Sequence, residues 1–310
     1  MAALKAALAQ LKRYRASVLK AAVEGRLVPT EADLARAEGR DYEPADRLLA
    51  RILQERRAQA GAKYKEPAAP DTANLPELPE GWVWATVAQL AANVPNSITD
   101  GPFGSNLKTA HYTEHGPRVI RLQNIGDGIF IDEQAHISEA HFSRLQKHKI
   151  EFGDIVIAAF GERPPRACII PMSVGPAIVK ADCIRLLPDP MMALSHYLIN
   201  ALNAEPTRHR TIGVVHGIGR PRLNLGEIKA ITLPIPPLTE QHRIVAEVER
   251  RLSVVEELGT IITSNLKRAD RLRQSILKRA FTGKLVPQDS ADEPGATLLE
   301  RIREERSQRD

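Results

Sequence analysis

At 310 residues, with 43% hydrophobic and 26% charged side chains, the chain has the length for about two domains and the make-up of a folded globular protein. No apolar run reaches the ~18 residues a membrane-spanning helix needs, and the amino-terminal MAALKAALAQLKRYR lacks an apolar core followed by a small-residue cleavage site, so a cytoplasmic location with no membrane partner is expected. A net charge of +5, with acids and bases nearly balanced along the chain, excludes a polycationic tail and permits nucleic-acid contact without arguing for it.

Residues 1–65 are rich in Ala, Leu and Arg and predict helices broken at Gly25 and Pro29. The same text returns at the other end. Arg13–Pro29 (RYRASVLKAAVEGRLVP) and Arg271–Pro287 (RLRQSILKRAFTGKLVP) agree at ten of seventeen positions, and Leu48–Arg56 agrees with Leu298–Arg306 at six of nine. Solenoid units recur every ~20–50 residues, so a lone repeat this far apart reads instead as one globular domain bracketed by two copies of a helical connector. Residues 66–80 are proline-rich and predict an extended linker.

From 81 to 238 the pattern changes to short apolar runs punctuated by Gly and Pro. Strands are predicted at 118–122, 154–160, 167–170, 177–187 and 231–236, with helices at 138–147 and 194–203, giving a mixed α+β domain. Cys168 and Cys183 sit in apolar stretches and are expected as buried, reduced thiols. Prolines 234, 236 and 237 close the domain, because proline enters neither a helix interior nor a central strand. Thr239 offers a helix N-cap and Glu240 a first-turn negative charge. A long helix is predicted over 239–283, followed by a helical tail, 284–310. At ~1.5 Å per residue it would run about 65 Å. Val248, Leu252, Val255, Ile262, Leu272 and Ile276 lie on a stripe spaced by threes and fours, the seam of a coiled coil that needs a partner helix.

The sequence carries little catalytic apparatus. It has no Gly-x-x-x-x-Gly-Lys-Ser/Thr phosphate loop, no Asn/Asp-Pro-Pro-Tyr/Phe motif, and no histidines at metal-ligand spacing. Gly217-Ile218-Gly219 reads as a turn. The one enzyme-like constellation is Asp189 with Glu227 and Lys229, the acidic pair plus lysine with which many nucleases hold magnesium. Against it stand a long gap, an Asp-Pro turn, and Lys229 at the start of a strand. The remaining polar features suit contact: Ser105, Asn106 and Lys108 in the loop ITDGPFGSNLK, Arg121 and Asn124 at a strand end, Arg163 and Arg166 around a Pro-Pro turn, Arg208 and Arg210, and Arg220, Arg222 and Asn224 in HGIGRPRLN. Arg, Lys, Asn and Ser grip phosphates and read base edges. Loop arginines that merely stay solvated are the plainer alternative.

Taken together, LPEGW (78–82), ITDGPFGSNLK, RVIRLQNIGDG (118–128), GRPRLN (219–224), LPIPPLTEQHRIV (233–245) and ILKRAFTGKLVP (276–287) resemble the DNA specificity subunit of type I restriction-modification systems over nearly the whole chain. That resemblance implies a subunit without catalysis or cofactor of its own. Its partners would be double-stranded DNA, a DNA methyltransferase modification subunit bringing S-adenosylmethionine, and in some systems a restriction subunit bringing ATP- and Mg-dependent translocation and cleavage. The family carries two target recognition domains, each followed by a long helix. This chain has one, and so looks like a half-size form. Pairing through the long helix would give a homodimer reading an interrupted palindrome, with residues 1–60 of one copy beside the other copy's helix. Pairing with a different half-subunit, giving an asymmetric target, is the rival expectation.

Overall fold

The computed structural model describes residues 1–61, 64–212, 222–287 and 291–308. Two compact units divide the chain: Lys12–Val254, and Met1–Leu11 together with Val255–Asp310.

In the larger unit, the first helix, α1 (Ala2–Val23), buries Val18, Leu19, Ala22 and Val23. It stops at Gly25, whose positive φ of 66° lets the amide of Arg26 turn back onto the carbonyl of Ala21 at 2.9 Å. A side chain at Gly25 would also meet the Pro79 ring at 2.4 Å. Helix α2 (Glu31–Glu38) is capped by the Thr30 hydroxyl, which accepts from the amide of Asp33, and ends on left-handed Gly39. Helix α3 (Ala45–Ala60) is amphipathic and buries Leu48, Leu49, Ile52 and Arg56. The segment expected to serve another copy's helix therefore packs within its own chain.

The central domain has the α+β architecture expected. Strand β1 (Val83–Thr86) pairs antiparallel with β10 (Thr232–Ile235), tying the domain's entry to its exit, and α4 (Val87–Leu90) follows β1 through a Thr86/Gln89 capping box. The remaining strands are β2 (Ile98–Thr99), β3 (Tyr112–Ile120), β4 (His136–Ile137), β5 (Lys149–Ile150), β6 (Ile155–Ala158), β7 (Arg166–Ile169), β8 (Ala177–Val179) and β9 (Cys183–Leu186). They form two four-stranded sheets, ordered β2-β9-β6-β7 and β4-β3-β8-β5. Only β3 and β8 pair in parallel among these registers.

Side chains alternate across these strands, and the alternation allocates them. Ile120, Ala177 and Val179 join Val156, Ala158, Cys168 and Cys183 in a core shared by both sheets. Val119 and Ile178 point the other way, packing with Leu107, Ile137 and Leu145. The run 177–187, expected as one strand, is two: Asp182, at φ 67°, turns the chain from one sheet to the other.

Helices α5 (Glu139–Arg144), α6 (Ser195–Asn203), α7 (Glu205–Ile212) and α8 (Leu225–Ala230) complete the domain. Lys229, read from the sequence as opening a strand, lies in α8. The Asn224 side chain accepts from the amide of Glu227 and starts a helix there.

Helix α9 runs from Leu238 to Phe281. In the larger unit it buries Ile244, Val248 and Leu252. Arg243 reaches Glu31 at 2.6 Å and the amide of Glu31 donates to Glu240 at 2.8 Å, so the start of α2 lies against the start of α9. This stretch of the apolar stripe is thus covered by the chain itself, where the sequence had placed a partner. In the smaller unit the stripe is open. Leu258, Ile261, Leu272, Ile276, Leu277 and Phe281 are exposed, as are Leu298, Leu299 and Ile302 on α10 (Gly295–Ser307).

Candidate nucleic-acid interface

The loop joining β2 to β3 and the segment entering α8 meet at one edge of the central domain. Gly101 anchors the first: its Cα sits so close to the Lys180–Ala181 backbone that a Cβ would stand 2.0 Å from the Lys180 carbonyl carbon. Only glycine fits there, and two residues on Phe103 stands in solvent, 48% exposed. The second segment is tied down where the amide of Leu223 donates to the carbonyl of Ala159 at 2.8 Å. The guanidinium of Arg222 lies 5.7 Å from the Phe103 ring centroid and pairs with Asp182 at 2.7 Å. Phe103, Phe160, Asp100, Asp182, Arg222 and Glu227 rim a cavity of about 500 Å³.

Three carboxylates against one guanidinium make this cavity a poor host for phosphate. Arg222, Asn224 and the Phe103 ring suit hydrogen bonding and stacking against bases. Burial pushes the Asp100 carboxyl up from its ordinary value, and burial pushes the neighbouring His148 down. The His148 ring is anchored to the Asp100 carbonyl through Nδ1.

The other sequence-nominated residues distribute unevenly. Ser105, Asn106 and Lys108 are exposed in the same loop as Phe103. Arg163 is exposed and paired with Glu205, while the guanidinium of Arg166 lies beside Gly161. Arg121 is half-buried, reaching the Gln134 carbonyl at 3.5 Å. Asn124 has no surface to offer: fully buried, its amide nitrogen donates to the carbonyls of Ile131 and Glu133 while its oxygen accepts from the amide of Arg121. Arg208 is likewise buried, bridging Asp127, Asn203 and the Pro165 carbonyl. Arg210 stacks 5.0 Å from the Trp84 ring centroid, and burial lowers its pKa. These three hold the fold. Arg220 and the Gly217–Gly219 turn fall outside the described residues. Phe103 and Asp182 escaped sequence reasoning, since neither residue type advertises a contact. The Gly-x-x-Gly spacing around Phe103 was the one available signal.

The larger unit also holds a polar junction the sequence barely hinted at. Glu240 is fully buried, accepting from the backbone amide of Glu31 at 2.8 Å and from the indole N–H of Trp82 at 3.0 Å. Burial raises its pKa, and the nearby Glu31 charge adds to the rise. Burial opposes ionisation of Glu31 as well, but hydrogen bonds from Arg243 and Arg40 hold its carboxyl below the ordinary value. Gln241, also fully buried, accepts from the amide of Leu194 and donates to the carbonyls of Met192 and Pro236. The LPEGW and PPLTEQ motifs are thus two sides of one joint between domain, connector and helix.

The nuclease alternative fails on geometry. One Asp189 oxygen takes Arg56 at 2.7 Å and the other accepts from the Met191 amide, while Glu227 caps its own helix by accepting from the Asn224 amide. Among the described residues, no group of three or more His, Cys, Asp or Glu is placed to hold a metal. Of the six nominated pairing residues, Val248, Leu252 and Val255 are buried within the chain, Ile262 is half-buried, and Leu272 and Ile276 are exposed.

Residues 131–267 match the family model described as type I restriction modification DNA specificity domain. The chain is 26% identical to the type I restriction enzyme EcoBI specificity subunit of Escherichia coli, over 96% of this chain and 57% of that one. It is 25% identical to the EcoDI specificity subunit of the same organism, over 96% and 61%. It therefore spans about three-fifths of the length of these curated relatives. A solved structure titled for complex assembly and conformational transition of the type I restriction-modification system aligns at 19% identity and a TM-score of 0.49, covering 89% of this chain and 60% of that one.

Proposed function

Since the chain belongs to the family of DNA specificity subunits of type I restriction-modification systems, we propose that its central domain reads one half of an interrupted DNA site through the edge formed by the loop 98–108 and the segment 222–224. The observation that carries this is the convergence of Arg222 with exposed Phe103, brought together from distant parts of the chain on a rigid support. Ser105, Asn106 and Lys108 extend the same edge. Specificity subunits do no chemistry themselves. S-adenosylmethionine is expected on a methyltransferase partner, and ATP with Mg on a restriction partner where one is present.

The exposed seam on α9 supports pairing of two copies. A two-fold dimer presents identical surfaces, so its target is an interrupted palindrome. Co-expression with a type I modification subunit, followed by mapping of methylated adenines, tests both levels at once. Methylation of a palindromic bipartite motif is expected. An asymmetric motif overturns the homodimer, and absence of any sequence-dependent methylation overturns the specificity role. Leu272→Asp, on the open part of the seam, is expected to convert the dimer to monomer in sedimentation while leaving the central domain folded.

A further inference from the structure

The two copies of the terminal repeat share sequence but not circumstances. Val18, Leu19, Val23, Leu27, Leu48, Leu49, Ile52 and Arg56 are all buried, Val18 to 2%. Their counterparts, Ile276, Leu277, Phe281, Leu285, Leu298, Leu299, Ile302 and Arg306, are all exposed, Phe281 to 89%. The local conformation is nevertheless repeated. Gly25 and Gly283 have φ of 66° and 67°. The amide of Arg26 bonds the Ala21 carbonyl at 2.9 Å, and that of Lys284 bonds the equivalent Arg279 carbonyl at 2.8 Å. Pro44 and Pro294 occupy the N-caps of α3 and α10, and the ion pair Arg51–Glu43 at 3.0 Å recurs as Arg301–Glu293 at 3.3 Å. The tail is folded as the arm is folded, with its docking face unused.

The groove the arm fills is specific. Gly25 lies against Pro79 and Trp82, the amide of Ala45 donates to the Gly81 carbonyl at 2.8 Å, and Arg56 donates to the carbonyls of Gln89 and Ala91 and to Asp189. We propose that residues 271–287 and 291–306 serve as a docking arm for the groove of a second copy of this chain, with Arg306 taking the place of Arg56 on Asp189 and the two carbonyls. The inference rests on the two-copy reading above and adds an exchange of arms to it.

The exchange is biased toward the chain's own arm. Fourteen residues separate Pro29 from Pro44, and six separate Pro287 from Pro294, so the tail carries no counterpart of α2 or of Glu31. It lacks the contact to Glu240 and the ion pair to Arg243 that the arm makes. Loosening the arm therefore favours the tail.

The test uses the full chain with paired cysteines and a short bismaleimide. Met191→Cys stands beside the groove's Asp189, and Ser307→Cys beside Arg306; neither substitution touches the proposed contacts. The native thiols do not compete, since burial pushes Cys168 up to about 12 and Cys183 higher still. The control pairs Met191→Cys with Arg57→Cys, the arm's equivalent of position 307, and is expected to close within one chain. Met191→Cys with Ser307→Cys is expected to give a covalent dimer, linked between those positions in the mass spectrum, with a yield rising several-fold when Arg56→Ala or Leu49→Ala loosens the arm. If sedimentation shows a dimer but no background gives the 191–307 link between chains, arm exchange is wrong and the two-copy reading stands. If the chain is a monomer without the link, both fall. A 191–307 link closing within one chain also overturns the proposal.

Discussion

Replacing Glu240 by alanine should loosen the connector from the central domain more than any surface change nearby. The substitution leaves two buried donors without an acceptor: the indole N–H of Trp82 and the amide of Glu31. Each stranded donor costs ~1–3 kcal/mol, or about 2–6 together. Relief from burying the carboxylate, whose burden shows in the raised pKa, offsets part of this. A net loss of about 2–4 kcal/mol is expected, read from urea unfolding of the full chain. Glu240→Gln keeps one carbonyl acceptor and should fall between. Because the folded pKa lies above the ordinary 4.5, the folded state holds this proton more tightly than the unfolded state. The titration of Glu240 therefore contributes stability below 4.5 that is lost as pH rises through the raised value. The gap between wild type and Glu240→Ala should narrow as pH rises above 4.5. A loss below ~1 kcal/mol, or a gap that widens with pH, refutes the two-donor account.

Three further substitutions separate reading from folding. Arg222→Ala should weaken DNA binding by about 1–3 kcal/mol if the guanidinium reads a guanine, with the melting temperature little changed; unaltered affinity and sequence preference in a filter-binding series would remove this edge from the interface. Gly101→Ala must push its Cβ away from the Lys180 backbone. It should cost ~1–3 kcal/mol or more in thermal unfolding, and wild-type stability would show that the loop relaxes freely. Leu252→Asp, a change that sequence alone would reserve for breaking a dimer, places an unpaired charge at a site only 8% exposed within the chain. It should lower the stability of the chain itself, whereas Leu272→Asp should alter only the sedimentation coefficient.

Periodicity and punctuation made much of this protein legible. Helix α9 could be placed because three prolines bar entry before it and a stripe at threes and fours runs through it, both local properties of the chain. The strands around Val119, Val156 and Ile178 could be placed because alternating side chains must be buried on both faces of their sheets. Helix α8 was missed because its capping box, Asn224 with Glu227, is spelled in residues that a strand entry also tolerates. The break at Asp182 was missed because nothing in the sequence announces a left-handed aspartate.

Among the candidate contacts, loop position and residue type nominated side chains, but not which of them face outward. Asn124 and Arg222 look alike in a sequence. One is enclosed by the carbonyls of Ile131 and Glu133, while the other lies against the Phe103 ring.

The sequence by itself determined the repeat, the α+β domain between its copies and the helix that leaves it, because these rest on identity, hydrophobic period and proline placement along one stretch of chain. Only the tertiary structure decided that the first copy is docked and the second bare, that the first-turn acid Glu240 is also an interior acceptor, and that half of the nominated seam is already covered. Burial is a property of what lies across space, and Trp82, Glu31 and Asp189 come to their partners from 133 to 209 residues away.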